Sequence, residues 1–97
     1  MDTEALALAI DRAIGAELLA QRHRNKLTRL ELRELSGVAE KTIQRFEDGQ
    51  RSPDVQQLVK LASALNLSVL DFVKLALRDI EGVDPQQEES KPTSQPG

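Results

Sequence analysis

The sequence predicts an all-α protein of five helices, of which the first is long and the second and third are joined by a tight turn. Apolar side chains recur at every third or fourth position through most of the chain, as they do on the buried face of a helix. Two short helical patterns meet at Gly37, and glycine adopts a left-handed backbone without steric cost. Residue types that cap helices precede the later patterns. These three observations predict the fold class.

The first helix is expected over about 3–24, with Thr3 as its N-terminal cap. Its apolar residues lie four positions apart, and alanines widen the stripe: Leu6, Ala9, Ile10, Ala13, Ile14 and Leu18. Such a stripe packs on a core while the other positions stay in water. The first helix should therefore be much longer than those that follow.

The second and third helices are expected as a pair with Ser36-Gly37-Val38 as the turn between them. Thr28 can cap the second helix, which should run to about Leu35. The third should cover about 40–47 and end at Gly49. The apolar positions of the pair are expected to be buried: Leu32, Leu35, Val38, Ile43 and Phe46.

A fourth helix is expected after Ser52, which can cap it, with Pro53 at its first position. It should end near Asn66, a residue that tolerates the left-handed conformation. Its inward residues should be Val55, Leu58, Val59, Leu61, Ala62 and Leu65. Ser68 and Asp71 have the spacing of a capping box and should open the fifth helix, which continues to about residue 80.

The fifth helix has more apolar residues than one buried face requires. Phe72, Leu75 and Ala76 can face the domain. A second apolar side would then consist of Val69, Val73, Leu77 and Ile80. A monomer that exposed this side would show a large apolar patch, so it should be covered. Either a partner helix in a homodimer or the long first helix of the same chain could cover it.

Composition limits the classes of function. Cysteine is absent and His23 is the only histidine, which argues against disulfides and metal centres, and no catalytic arrangement of side chains is evident. No apolar run approaches the roughly twenty residues of a membrane span. We expect a cytoplasmic protein without cofactor, metal, enzymatic activity or membrane partner. Residues 82–97 are rich in proline, glutamine and acids and should form a disordered tail after a domain over 1–81.

Charge is unevenly distributed along the chain. The formal net charge is −3, which argues against indiscriminate binding to nucleic acids. Residues 20–51, however, contain eight basic and five acidic side chains, so the rest of the chain is strongly acidic. A basic segment of this kind can bind a phosphate backbone or can be an ordinary solvated surface. Its overlap with the helical pair favours phosphate binding.

An ordered set of residues across about 14–72 carries a family resemblance: Ile14-Gly15, Leu18, Arg22, Leu27-Thr28, Leu32, Ser36-Gly37-Val38, Thr42-Ile43, Glu47-Asp48-Gly49, Arg51, Pro53, Leu58, Leu61-Ala62 and Leu65. This set resembles the lambdoid repressor and Cro-like helix-turn-helix family, also called the Xre family. The resemblance implies a compact, lambda-repressor-like DNA-binding domain of five helices, here with an extended first helix. Its helix-turn-helix motif would occupy residues 28–47.

The resemblance also implies that the third helix enters the major groove of double-stranded DNA while the second braces it. Residues carried over as base-reading are Glu40, Lys41, Gln44 and Arg45. Arginine or lysine can donate to guanine, and glutamine can both donate to and accept from adenine. Residues carried over as contacts to the DNA backbone are Arg29, Thr42, Gln50, Arg51 and Ser52.

In this family the residues that match Arg22 and Glu47 form a partly buried ion pair between the first helix and the end of the third. Three positions depart from the family pattern. Arg33 replaces a small residue between the motif helices and must point outward or widen their crossing. Ala39 replaces the usual serine cap of the reading helix, and Glu40 brings a carboxylate close to DNA, where it can accept from cytosine or repel wrong sites.

The function expected from this resemblance is a sequence-specific transcriptional regulator, a small phage-type repressor or Cro-like protein that acts as a homodimer by occupying its operator. One alternative is the antitoxin of a toxin-antitoxin pair, with a toxin as its protein partner, and another is a restriction-modification controller. A third is a protein-interaction module that does not bind DNA. The cell would be a bacterium or a phage-infected host.

Overall fold

The computed structural model describes residues 2–80, which form five α-helices and, within that range, no strand. The helices are α1 (Thr3–Arg24), α2 (Arg29–Ser36), α3 (Glu40–Glu47), α4 (Val55–Ala64) and α5 (Val69–Leu77). The all-α class and the number and order of the helices are confirmed. The predicted tail over 82–97 lies outside the described residues. None of the five helices has the length and hydrophobicity needed to cross a membrane.

All five helices, together with the α2–α3 turn, contribute to one core. Its buried apolar residues are Ile14, Leu18, Leu32, Val38, Ile43, Phe46, Leu61, Ala62, Leu65, Phe72 and Ala76. α1 packs against both α3 and α5, and α2 packs against α3 and α4. Helices as short as α2 and α3 are marginal on their own in water, so this packing holds them in place.

The predicted turn between α2 and α3 is present. Thr28 and Glu31 form a capping box, since the Thr28 hydroxyl accepts from the Glu31 amide at 3.0 Å and the Glu31 carboxylate accepts from the Thr28 amide at 2.9 Å. At the other end of α2, Gly37 has φ of 80°, the left-handed conformation that the sequence predicted. The Ser36 hydroxyl accepts from the Val38 amide, which fixes the turn further.

Two predicted N-terminal caps were wrong by one or two positions. α1 is capped by Asp2 rather than Thr3, since the Asp2 carboxylate accepts from the Ala5 amide at 2.9 Å. α4 is capped by Asp54 rather than Ser52, so Pro53 precedes the cap instead of opening the helix. Aspartate competes well with serine and threonine as a cap, and a glutamine three positions after Asp54 completes a capping box that Ser52 cannot form.

Besides α2, three other helices end at a residue in the left-handed conformation. Gly49 ends α3 and Asn66 ends α4 with φ of 74° and 64°, as predicted. In each case the amide of the residue after the left-handed one donates to the carbonyl five positions before it in the sequence. Lys26 ends α1 in this way with φ of 57°, which the sequence did not predict because lysine has no preference for this conformation. α5 itself ends at Leu77, earlier than the predicted residue 80.

Three apolar residues that were predicted to face inward are exposed. Leu35, Val55 and Val59 are 60%, 72% and 47% exposed. On α2 the buried residues are Leu32 and Ser36, which lie four positions apart on one face of the helix. Leu35 lies beside that face and not on it. On α4 the buried stripe is narrower than the apolar sequence, and the two valines lie on its flank. The periodicity located the stripe but overestimated its width.

Gly15 lies where α1 crosses the end of α3. A Cβ atom added to Gly15 would lie 2.1 Å from the Phe46 carbonyl oxygen and 3.3 Å from that of Glu47. The backbones of the two helices therefore approach more closely than any side chain at this position would allow. This contact sets the distance between α1 and the C-terminal end of the helix predicted to read DNA.

We expect Gly15→Ala to lower the free energy of unfolding by about 2 kcal/mol, because the added methyl group overlaps a backbone oxygen. Urea denaturation followed by circular dichroism measures this. The control is Ala16→Gly at the exposed neighbouring position, which should cost about 1 kcal/mol through helix propensity alone. If Gly15→Ala were neutral or stabilising, as alanine is elsewhere in a helix, the proposed close packing would be refuted.

Candidate nucleic-acid interface

The four predicted base-reading residues all lie on the exposed side of α3. Glu40, Lys41, Gln44 and Arg45 are exposed, whereas Ile43 and Phe46 on the opposite side are fully buried. Because the apolar side is anchored in the core, α3 presents its polar side outward in one fixed orientation. Lys41, Gln44 and Arg45, together with Asp48 and Gln50, line an open recess of about 150 Å³.

The N-terminal end of α3 has no side-chain cap, as the alanine at position 39 predicted. The first amides of α3 are therefore left to other acceptors, and the positive end of the helix dipole favours an anion there. Glu40 supplies a negative charge in the first turn. Thr42, predicted to contact the DNA backbone, is half-buried in the same turn.

The Glu47 carboxylate at the end of α3 is shared by two arginines. Arg22 Nε donates to Glu47 Oε2 at 2.7 Å and Arg22 Nη2 donates to Oε1 at 3.0 Å, which makes a bidentate ion pair between the two residues that the family resemblance pairs. Arg29 Nε donates to the same Oε1 at 2.9 Å. The side chain of Glu47 is 1% exposed, that of Arg22 is 9% and that of Arg29 is 35%. The group as a whole has a formal net charge of +1, and Arg29 is its most exposed member.

Arg29 thus has a contact that the sequence did not predict. It lies at the first position of α2, where it was expected to contact the DNA backbone. Its Nε donates to Glu47, its side chain is 35% exposed, and its two Nη groups are further donors. A phosphate could therefore accept from Arg29 without breaking the ion pair. Its contact with DNA remains a prediction.

The segment after α3 carries the other predicted backbone contacts. Gln50, Arg51 and Ser52 are all exposed, and Gly49 turns the chain so that they follow directly on α3. The Ser52 hydroxyl donates to the Asp11 carboxylate of α1. This pair could not be predicted because the two residues are 41 positions apart in the sequence.

Arg33, which replaces the family's small residue, points outward from α2. Its side chain is 47% exposed, and its Nη2 donates to the Glu34 carboxylate at 2.6 Å. α2 and α3 still pack against each other. Of the two orientations expected for Arg33, the structure thus has the outward one.

The apolar side of α5 that was predicted as a seam is narrower than expected. Val69, Val73 and Leu77 are half-buried and pack against the core, and Ile80 is half-buried beyond the end of the helix. α1 and α5 pack together, with an open groove of about 280 Å³ between their exposed edges. The first helix therefore covers part of this side of α5. That a second chain covers the rest stays a prediction.

Comparison with known proteins agrees with this geometry. The helix-turn-helix family profile, HTH_3, matches residues 18–72, which is more than half of the chain. The chain belongs to this helix-turn-helix family. The match covers the α2–α3 pair, the Arg22–Glu47 ion pair and the start of α5.

This helix-turn-helix protein is also similar to a solved structure, that of the clp gene regulator ClgR from Corynebacterium glutamicum. The TM-score is 0.69 at 26% sequence identity, over 91% of this chain and 96% of the other. No curated protein gives a significant match. The family match and this neighbour together support a DNA-binding transcriptional regulator.

Replacement of the shared carboxylate should be far more costly than replacement of its exposed partner. We expect Glu47→Gln to lower the free energy of unfolding by about 3 to 5 kcal/mol, because it leaves the buried Arg22 guanidinium without a counter-charge. Arg29→Gln should cost about 1 kcal/mol or less, since that side chain is more than one third exposed and solvent screens its charge. Urea denaturation of both variants gives the comparison. Equal losses would contradict the assignment of Arg22 and Glu47 as the structural pair.

Proposed function

We propose that this helix-turn-helix protein is a sequence-specific transcriptional regulator that acts by occupying an operator, as a small phage-type repressor or Cro-like protein does. It would work in the cytoplasm of a bacterium or of a phage-infected host cell. The observation that supports this most is α3 itself, with one side fully buried and the other fully polar and exposed. A helix supported in this way can enter the major groove without losing its own packing.

The exposed side of α3 has the donors and acceptors needed to distinguish base pairs. Arg45 or Lys41 would donate to guanine O6 and N7, and Gln44 would pair with adenine N6 and N7. Glu40 would accept from the cytosine amino group. Each good pair contributes about 1 to 3 kcal/mol of discrimination against a wrong base.

Contacts to the sugar-phosphate backbone would come from both sides of the reading helix. Arg29 would contribute at the start of α2, Thr42 in the first turn of α3, and Gln50, Arg51 and Ser52 in the segment that follows. Such contacts set the position of the protein on the duplex and carry no direct sequence information. They would make binding strongly dependent on salt concentration.

The double variant Gln44→Ala, Arg45→Ala should lose its preference for the operator over unrelated DNA by at least about tenfold, since two base contacts disappear. Gel-shift titration against both duplexes measures the ratio. A matched control is Gln56→Ala, Lys60→Ala on α4, which also removes one exposed amide and one positive charge. The control should keep its preference. An undiminished preference in the α3 variant would rule out α3 as the reading helix.

We further propose that the protein binds as a two-fold dimer. One module of this size contacts little DNA, and the parts of Val73, Leu77 and Ile80 that remain accessible on and beyond α5 offer an apolar seam next to the exposed Leu70. Selection from a random DNA pool should then return palindromes whose half-sites are centred about 34 Å apart, one helical turn. Selected sites with a single unrepeated half-site would show that a monomer reads DNA.

A further inference from the structure

The N-terminal half of α1 passes beside the segment that follows the reading helix. Besides the bond from Ser52 to Asp11, an added Cβ atom on Gly49 would lie 3.3 Å from Arg12 Cγ and 3.8 Å from Arg12 Cα. The contact of Gly15 with the Phe46 carbonyl lies one turn further along the same helix. These contacts involve residues 11, 12 and 15 of α1. The approach of α1 to this segment therefore involves the backbone and not only two exposed side chains.

Asp11 adds a negative charge at a place where the proposed function requires phosphate binding. A serine hydroxyl has one proton to donate, and Ser52 donates it to Asp11 rather than to an external acceptor. The Asp11 carboxylate would also repel a phosphate that approached Ser52. Residues 2–11 carry Asp2, Glu4 and Asp11 and no basic side chain, and Arg12 is the first positive charge on the helix.

We propose that Asp11 limits the affinity of this protein for the DNA backbone: its contact with Ser52 places its carboxylate beside the segment 50–52, where the charge repels the nearest phosphate. This inference rests on the proposed function. Asp11 would act on operator and unrelated DNA alike, because phosphates are present in both. It would lower the overall affinity while leaving the choice among sequences to α3.

The decisive variant is Asp11→Asn, because asparagine keeps an oxygen that can accept from Ser52 and loses only the charge. Its affinity for the selected operator and for an unrelated duplex of equal length should each rise about three- to tenfold in 50 mM salt. The gain should shrink toward 200 mM salt, since the groups involved are exposed and screened. The ratio of the two affinities should stay the same.

Two controls separate this effect from others. Ser52→Ala leaves the carboxylate in place and should give no gain in affinity. Glu4→Gln removes the same charge roughly 10 Å further along α1 and should give a smaller gain than Asp11→Asn. Thermal unfolding of each variant shows that it is folded during the titrations.

The possible failures can be told apart. If the wild-type protein binds both duplexes with the expected salt dependence and Asp11→Asn binds no more tightly, the role of Asp11 is refuted and the proposed function stands. An equal gain from Glu4→Gln would refute it as well, since the effect would then belong to the net charge of the helix. Absence of any salt-dependent binding by the wild-type protein would refute the proposed function itself.

Discussion

The buried carboxylate of Glu47 holds together the part of the molecule that is proposed to read DNA. α3 has only eight residues and begins without a cap, so its own hydrogen bonds cannot keep it helical. Ile43 and Phe46 anchor its apolar side, and Glu47 joins its last turn to α1 through Arg22 and to α2 through Arg29. Removal of either arginine would leave a carboxylate in the interior with less compensation. The orientation of the exposed side of α3 therefore depends on a carboxylate that the solvent hardly reaches.

Most of the fold could be predicted because its signals are local in the chain. The Thr28 cap of α2, the left-handed Gly37 and Gly49, and the bounds of α3 each depend on residues within one helical turn of one another. The resemblance then added one long-range contact, the pair of Arg22 with Glu47, which no local pattern indicates. Local chemistry and the resemblance together predicted which side of α3 is exposed, and its role in reading DNA stays a proposal.

The features that could not be predicted depend on distance in space. Arg29 was expected to face DNA, and its bond to Glu47 becomes visible only when α2 and α3 are packed. The hydrogen bond between Asp11 and Ser52 could not be predicted either, because the two residues are 41 positions apart in the sequence. Periodicity also could not show that Val55 and Val59 lie outside the buried stripe, because a stripe's width depends on the neighbouring helices rather than on the helix that carries it.

The close crossing at Gly15 has a consequence for how such a protein can change over time. Because α1 meets the end of α3 through backbone atoms, no side chain determines their separation at that point. If α3 reads DNA as proposed, substitutions on its outer side alter the operator preference without altering the angle at which the helix is held. New binding specificities could thus arise on an unchanged scaffold, provided that position 15 itself stays without a side chain.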